Sequence, residues 1–221
     1  KYYLEGRILI SPELKINHQW YGSKFCGFYV HADQLNTNSI IYSVGIGMDV
    51  SFDLELINSL KCRVFGFDPT PKSIQWVKEN VNHPLFIMSE FGISTPSGKK
   101  KFYLPKNKNH VSGSIFPMKT VDENKSIILE FKTLLEVMQI NQHDHLDLLK
   151  IDIEGAEYEV LDQIINQSIS INQIVVEFHP HLIISGRRKT FEILDLLKRH
   201  GYLCFAISNS YLEYSFLKKQ Y

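Results

Sequence analysis

Apolar residues along the chain fall into two alternating rhythms. Ile40–Val44, Val64–Phe67, Pro84–Met88, Leu146–Ile151 and Ile174–Phe178 are short, nearly continuous apolar runs, the pattern of strands buried on both faces of a parallel sheet. Between them the apolar positions recur at helical spacing. Phe52, Leu54, Leu56, Ile57 and Leu60 share a face over 51–60, and Ala156, Val160, Leu161, Ile164 and Ile165 do so over 155–167. Thr70 is a helix cap with Pro71 at the first helical position, opening a helix that runs to Asn80. Further helices are predicted over 133–138 and over 190–200, the latter stopped by Gly201. Phe102–Leu104 and Ile127–Phe131 read as short strands. Tyr202–Ile207 and Tyr211–Leu217 end the chain as an antiparallel pair around Ser208-Asn209-Ser210.

Strands alternating with helices predict an α/β fold, a mostly parallel sheet with helices on both faces and a terminal antiparallel hairpin. Residues 40–221 form this domain. Residues 1–39, with Trp20, Tyr21, Phe25, Phe28 and Tyr29, read as a small β-containing cap packed across it. Residues 99–120 are basic and rich in Lys, Asn, Ser and Gly, and carry His110-Val111-Ser112-Gly113-Ser114. They read as a long loop, a wall or lid for a substrate.

Chemistry enters at the ends of the first two strands. Ile40-Ile41-Tyr42-Ser43-Val44 breaks into Gly45-Ile46-Gly47, and the next strand ends in Asp68-Pro69. Glycines let a backbone approach a ligand closely, and a carboxylate after the second strand can accept hydrogen bonds from ribose hydroxyls. A dinucleotide site calls for a third glycine where this chain has Val50. Asp49 stands at the helix start, where an anion opposes a pyrophosphate and suits a cofactor that carries a cation, such as S-adenosylmethionine. Each acid also has a plainer reading, Asp49 as a helix cap and Asp68 as a turn residue before proline.

The strand 146–151 leads into Asp152-Ile153-Glu154-Gly155-Ala156-Glu157, a run of acids at the edge where open α/β sheets bind ligands. Here the chain resembles the FkbM-type methyltransferases. Tyr42–Gly47 with Ser51–Leu54 is similar to the family's first motif and Phe67–Pro71 to its second. Leu149–Glu157 matches its signature, and Val175–His179 the strand that follows. The resemblance implies a Rossmann-like class I methyltransferase fold with a seven-stranded sheet, S-adenosylmethionine as cofactor, and O-methylation of a hydroxyl on a carbohydrate or secondary metabolite. On this reading Gly45, Gly47 and Asp49 approach the methionine part and Asp68 with Pro69 the ribose. Glu90, Phe91 and Gly92 lie near the adenine, and Asp152 borders the cofactor.

Methyl transfer is an in-line displacement at a sulfonium carbon, so an acceptor hydroxyl must be aligned behind the S–CH3 bond and lose its proton. Asp152 or His179 is the expected base, with Glu154 and Glu177 orienting the acceptor. The same four side chains are of types that also ligate divalent cations, although no metal is assigned. Glu157 and Glu159 read as first-turn acids complementing a helix dipole, Lys150 as a local ion-pair partner, and His179 and His181 alternatively as turn residues around Pro180. A nicotinamide-dependent oxidoreductase and a non-catalytic relative that only binds a partner are the competing classes.

Lys and Arg balance Asp and Glu at 24 each, so no net field draws the chain to nucleic acid or to an anionic membrane. Cys26, Cys62 and Cys204 have neither zinc-site spacing nor an even count for a disulfide framework, and fit a reducing compartment. No signal peptide or membrane-spanning run is legible, and a cytoplasmic protein acting on a small-molecule or glycan acceptor is expected, with its oligomeric state open.

Overall fold

The computed structural model describes residues 10–107 and 111–219; His110 and the first nine residues of the N-terminal segment lie outside them. The segment before the first predicted strand forms β1 (Gln19–Tyr21) and β2 (Phe28–Val30), an antiparallel pair with Trp20 opposite Tyr29. The alternating core then begins with β3 (Ile40–Val44), α1 (Ser51–Leu60), β4 (Arg63–Phe67), α2 (Pro71–Asn80) and β5 (Phe86–Ser89). After β5 the chain leaves the sheet as β6 (Gly92–Ile93), β7 (Gly98–Pro105) and β8 (Val121–Lys132). It returns through α3 (Leu134–Ile140), β9 (Leu146–Ile151), α4 (Glu157–Asn166), β10 (Ile171–Glu177), α5 (Gly186–Arg199), β11 (Tyr202–Ile207) and β12 (Glu213–Lys218).

The main sheet has seven strands in the order β11-β12-β10-β9-β3-β4-β5. All neighbours from β5 to β10 pair in parallel, and β12 inserts antiparallel between β10 and β11. This is the Rossmann-like methyltransferase sheet that the sequence led us to expect. Its order reverses between β3 and β9, which leaves a crevice outside their carboxyl ends.

Period-two alternation within strands buried on both faces creates two cores. Tyr42 of β3, Leu149 of β9 and Ile174 and Val176 of β10 face α3, α4 and α5. Ile41, Leu148 and Val175, one residue out of phase, face the other way onto Phe52, Leu56 and Ile57 of α1 and onto Phe28 and Val30 of β2. Each fully buried aliphatic or aromatic side chain contributes roughly 1.5–3 kcal/mol, so β1–β2 is part of one of the two cores. Gln173 of β10 fastens it further, exchanging two hydrogen bonds with the His31 backbone.

The stretch expected to be a loop over 99–120 is mostly something else. β7 and β8 form a long antiparallel arm in a three-stranded sheet of their own, with Gly98 opposite Phe131 and Tyr103 opposite Ser126. The short strands expected at 102–104 and 127–131 are pieces of these. Among the residues of its two strands only Phe102, Val121 and Phe131 are buried, so its faces carry little hydrophobic contrast. Lys99, Lys100 and Lys101 make a charge run that mimics a solvated loop. Among the described residues between the two strands, 106–107 and 111–120, none belongs to a helix or a named strand.

Candidate functional site

Gly45 and Gly47, both at positive φ, carry the chain out of β3 into α1. The turn is clamped on both sides. The Gly45 amide donates to the Phe67 carbonyl at the end of β4, and the Asp152 amide donates to the Val44 carbonyl, each at 2.9 Å. A Cβ on Gly45 would stand 1.7 Å from the Asp152 carbonyl oxygen, so glycine here is a demand of the β3–β9 contact. Where a Cβ on Gly47 would go, Val111 alone among the described residues comes within van der Waals reach, at 3.8 Å, and Gly47 lines a cavity there.

The cavity has a volume of about 340 Å³, in the range of small-molecule sites. Along its floor run the Gly45–Asp49 turn, then Asp68, Pro69 and Thr70 after β4, and Asp152 and Glu154 after β9. Its apolar walls include Phe67, Ile93, Phe102, Ile115 and Phe131, so the β7–β8 arm and its tip close one side. Ser114 at the tip is pinned over the floor, its hydroxyl donating to the Glu154 carbonyl at 3.0 Å.

The predicted cofactor residues divide. Asp68 is buried, and one carboxylate oxygen accepts from the Ile46 and Gly47 amides at 3.1 and 2.9 Å while the other accepts from Thr70 at 2.8 Å. It therefore fixes the glycine turn as well as lining the cavity. Asp49 lines the cavity and, one residue ahead of the Val50 cap of α1, accepts from the Ser51 amide and the Ser23 hydroxyl, each at 2.8 Å. The Asp49 carboxyl is lowered, burial being outweighed by these hydrogen bonds. Gly92 lines the cavity, whereas Glu90 and Phe91 do not. Glu90 turns back to Lys78 of α2 at 2.6 Å, and Phe91 packs beside Phe67 under the Lys132 ammonium. Both stand outside the cavity lining, where the chain passes from β5 of the main sheet to β6 of the smaller one.

The expected catalytic four do come together. Parallel pairing of Ile151 with Val176 sets Asp152 beside Glu177. His179, 5% exposed, points Nε2 among three carboxylates, 3.8 Å from Asp152, 3.7 Å from Glu154 and 3.6 Å from Glu177. Glu154 holds a left-handed φ of 49° just before Gly155, a backbone cost on the order of 1 kcal/mol that local structure must overcome.

Glu157 holds this corner together. It is fully buried in the first turn of α4, and its two oxygens accept from the Gly155 and His179 amides, both at 2.8 Å. One of them also faces His179 Nδ1 at 3.4 Å. Reading Glu157 only as a dipole-complementing acid missed this. Its spacing shows no sign of it, because the partner lies across the sheet.

Burial would strip the His179 proton, but the Glu157, Glu177 and Glu154 carboxylates outweigh it and raise the imidazole well above its ordinary value. Burial and the Asp152 charge push Glu177 up to about 8, and burial raises Glu154. Lys150, buried beneath, donates to the Gly45 carbonyl and stands 3.6 Å from Asp152.

Two lining residues gave no sequence signal, Cys26 from the N-terminal segment and Ser73 from α2. Burial and the Asp49 charge push the Cys26 thiol up to about 12, which makes it a wall and not a nucleophile. Ser73 is buried, and among the described residues its hydroxyl has no hydrogen-bond partner, so it has a polar contact to offer a ligand. Acids on the floor, apolar rings on the walls and this hydroxyl fit an adenosyl group carrying a cationic sulfonium and ammonium.

Comparison with known proteins bears on the same residues. Hexuronic acid methyltransferase AglP of Haloferax volcanii is 25% identical over 66% of this chain and 59% of its own length. Probable methyltransferase-like protein 24 of Homo sapiens is 26% identical over 83% of this chain and 47% of its own. The chain thus spans about half to three-fifths of the length of these relatives. Among solved structures, a precorrin-6y C5,15-methyltransferase from Geobacter metallireducens aligns with a TM-score of 0.48 at 12% identity, over 84% of this chain and 83% of that one. The METTL16 methyltransferase domain aligns with a TM-score of 0.47 at 11% identity, over 85% and 62%. The family model described as the methyltransferase FkbM domain matches residues 46–204, a span that includes the glycine turn from Ile46 onward, Asp68 and the whole acidic corner. The chain belongs to the FkbM-type S-adenosylmethionine-dependent methyltransferases.

Proposed function

We propose that this chain moves a methyl group from S-adenosylmethionine to a hydroxyl oxygen of a carbohydrate. The observation that supports it is a single cavity shared by the Gly45–Asp49 turn and Asp68 with Asp152 and Glu154. A donor on the glycine turn and an acceptor on the acidic corner would then stand side by side. When bound, S-adenosylmethionine supplies an electrophilic methyl on a sulfonium. The protein has to hold the donor, align the acceptor oxygen and take its proton.

Asp49 and Asp68 offer negative charge to the methionine and ribose ends, Ser73 a polar contact, and the apolar wall a place for the adenine. Glu154 takes the acceptor proton. It lines the cavity, and burial raises its carboxyl above the ordinary value, which makes it a stronger base. This departs from the expected base, Asp152 or His179. His179, its imidazole raised well above the ordinary value by the surrounding carboxylates, is assigned to orienting, together with Asp152, which Lys150 faces at 3.6 Å. A sugar acceptor is favoured by the name of the archaeal relative, which acts on hexuronic acid, and by a corner whose polar groups can pair with several hydroxyls.

The test is transfer of labelled methyl from S-adenosylmethionine to a panel of neutral hexoses, hexuronic acids and amino sugars. Glu154→Gln should lower kcat by about 10²- to 10⁴-fold and leave donor affinity within about twofold of wild type. Transfer by that variant at the wild-type rate would exclude Glu154 as the base. Labelling of amines but of no hydroxyl would exclude the acceptor class.

A further inference from the structure

The acidic corner holds more charge than acceptor orientation requires. Asp152, Glu154 and Glu177 converge on one imidazole nitrogen, yet none approaches closer than 3.6 Å, beyond hydrogen-bond length. The facing atoms of Asp152, Glu177 and His179 lie within 4.8 Å of one another. Ligands of an octahedral ion with bonds of about 2.1 Å stand about 3.0 Å apart when adjacent and about 4.2 Å when opposite, so small rotamer changes would bring the three onto one ion.

His179 supplies an observation independent of the acids. It is more than nine-tenths buried, and its ring directs Nε2 into the cluster, 3.6–3.8 Å from the three carboxylates. On the other side Nδ1 faces the buried carboxylate of Glu157 at 3.4 Å. A carboxylate behind the distal nitrogen of an imidazole is the arrangement that orients metal-binding histidines and raises their basicity. The backbone bond from the His179 amide to the same carboxylate, at 2.8 Å, fixes the ring's position.

We infer that Asp152, Glu177 and His179 form a binding site for a divalent cation of the Mg²⁺/Mn²⁺ class, with Glu154 at its edge. Two carboxylates and one imidazole suit such an ion better than a thiophilic one. Binding replaces the proton on Nε2, which is released to solvent. Asp152 also lines the cavity, so coordination positions left open on that side face an acceptor oxygen. The inference deepens the methyltransferase reading and rests on it for the cation's purpose, though not for its binding.

The test adds Mn²⁺ alone to the purified chain, followed by electron paramagnetic resonance with nitrogen modulation. Parallel samples carry His179→Gln, Glu177→Gln and, as a control on the exposed face of α5, Asp195→Asn. Thermal unfolding of each variant verifies that it folds. One Mn²⁺ per chain is expected, with imidazole nitrogen modulation that His179→Gln abolishes. Glu177→Gln should weaken affinity by at least roughly tenfold, the loss seen on removing even an outer partner of a metal site, and Asp195→Asn should leave it unchanged. Absence of bound Mn²⁺ at millimolar concentration, absence of nitrogen modulation, or equal affinity in Glu177→Gln would overturn the site. Titration of the same samples with S-adenosylmethionine separates the two claims: retained donor binding without Mn²⁺ binding removes the cation and leaves the methyltransferase reading intact.

Discussion

Asp68 is the residue on which the site turns. Its carboxylate already accepts three backbone amides, and an ionised oxygen has further lone-pair capacity for ribose hydroxyls. Asp68→Ala should therefore loosen the glycine turn and weaken S-adenosylmethionine binding by more than about tenfold, since each hydrogen bond to a charged group contributes roughly 1.5–3 kcal/mol; calorimetry reads it directly. Asp53, buried in the first turn of α1, gives a prediction in pH. Burial pushes its carboxyl up to about 6 against the pull of the Lys150 ammonium, compared with about 3.9 in an unfolded chain. Between those values the folded state alone keeps the proton, so this residue removes stability as pH rises from about 4 to about 6, by up to roughly 3 kcal/mol. Asp53→Asn should flatten that part of the urea-midpoint profile, and an unchanged slope would contradict the assignment. The acids at strand ends were legible because position along a strand fixes which edge they reach. Glu157 and Ser73 were not, since their roles depend on partners brought near only by the sheet and the helix packing.

At the scale of elements, the β3–α1 turn and the β7–β8 arm make opposite demands. Gly45→Ala places a methyl against the Asp152 carbonyl at a φ of 82°, so it should destabilise the whole domain by several kcal/mol in chemical denaturation, as overpacking and left-handed strain add. Gly113 lies in the arm's tip, where a Cβ would meet the Phe102 ring at 2.3 Å. Gly113→Val should shift the wall formed by residues 111–115, raising the Kd for the cofactor while leaving the unfolding temperature within a few degrees of wild type. Parallel strands and amphipathic helices announced themselves by period, and the Thr133 cap with Glu136 closes the box that starts α3. The arm did not, because strands with so few fully buried positions lose the alternation on which such a reading depends. The start of α5 at Gly186, ahead of the expected 190, was hidden by Gly186-Arg187-Arg188-Lys189, which has no apolar face.

For the whole molecule, the sheet is the frame that brings distant parts of the sequence into one crevice, and both of its faces must be covered. Phe28 of β2 is 1% exposed and packs edge-on against Phe52 of α1, 5.4 Å between centroids. Phe28→Ala should cost about 3–5 kcal/mol in urea denaturation, although Phe28 lies in the segment the sequence suggested was only a cap. A loss below about 1 kcal/mol would instead mark that segment as separable. Among the described residues no helix is long and apolar enough to cross a membrane. The most direct test of the whole reading is calorimetric titration of the purified chain with S-adenosylmethionine, S-adenosylhomocysteine and NAD. Saturable binding of both adenosyl compounds at one site per chain, lost in Asp68→Ala and without any NAD response, is the expected result. Binding of NAD in their place, or adenosyl binding that Asp68→Ala leaves untouched, would contradict the placement of the cofactor on the glycine turn.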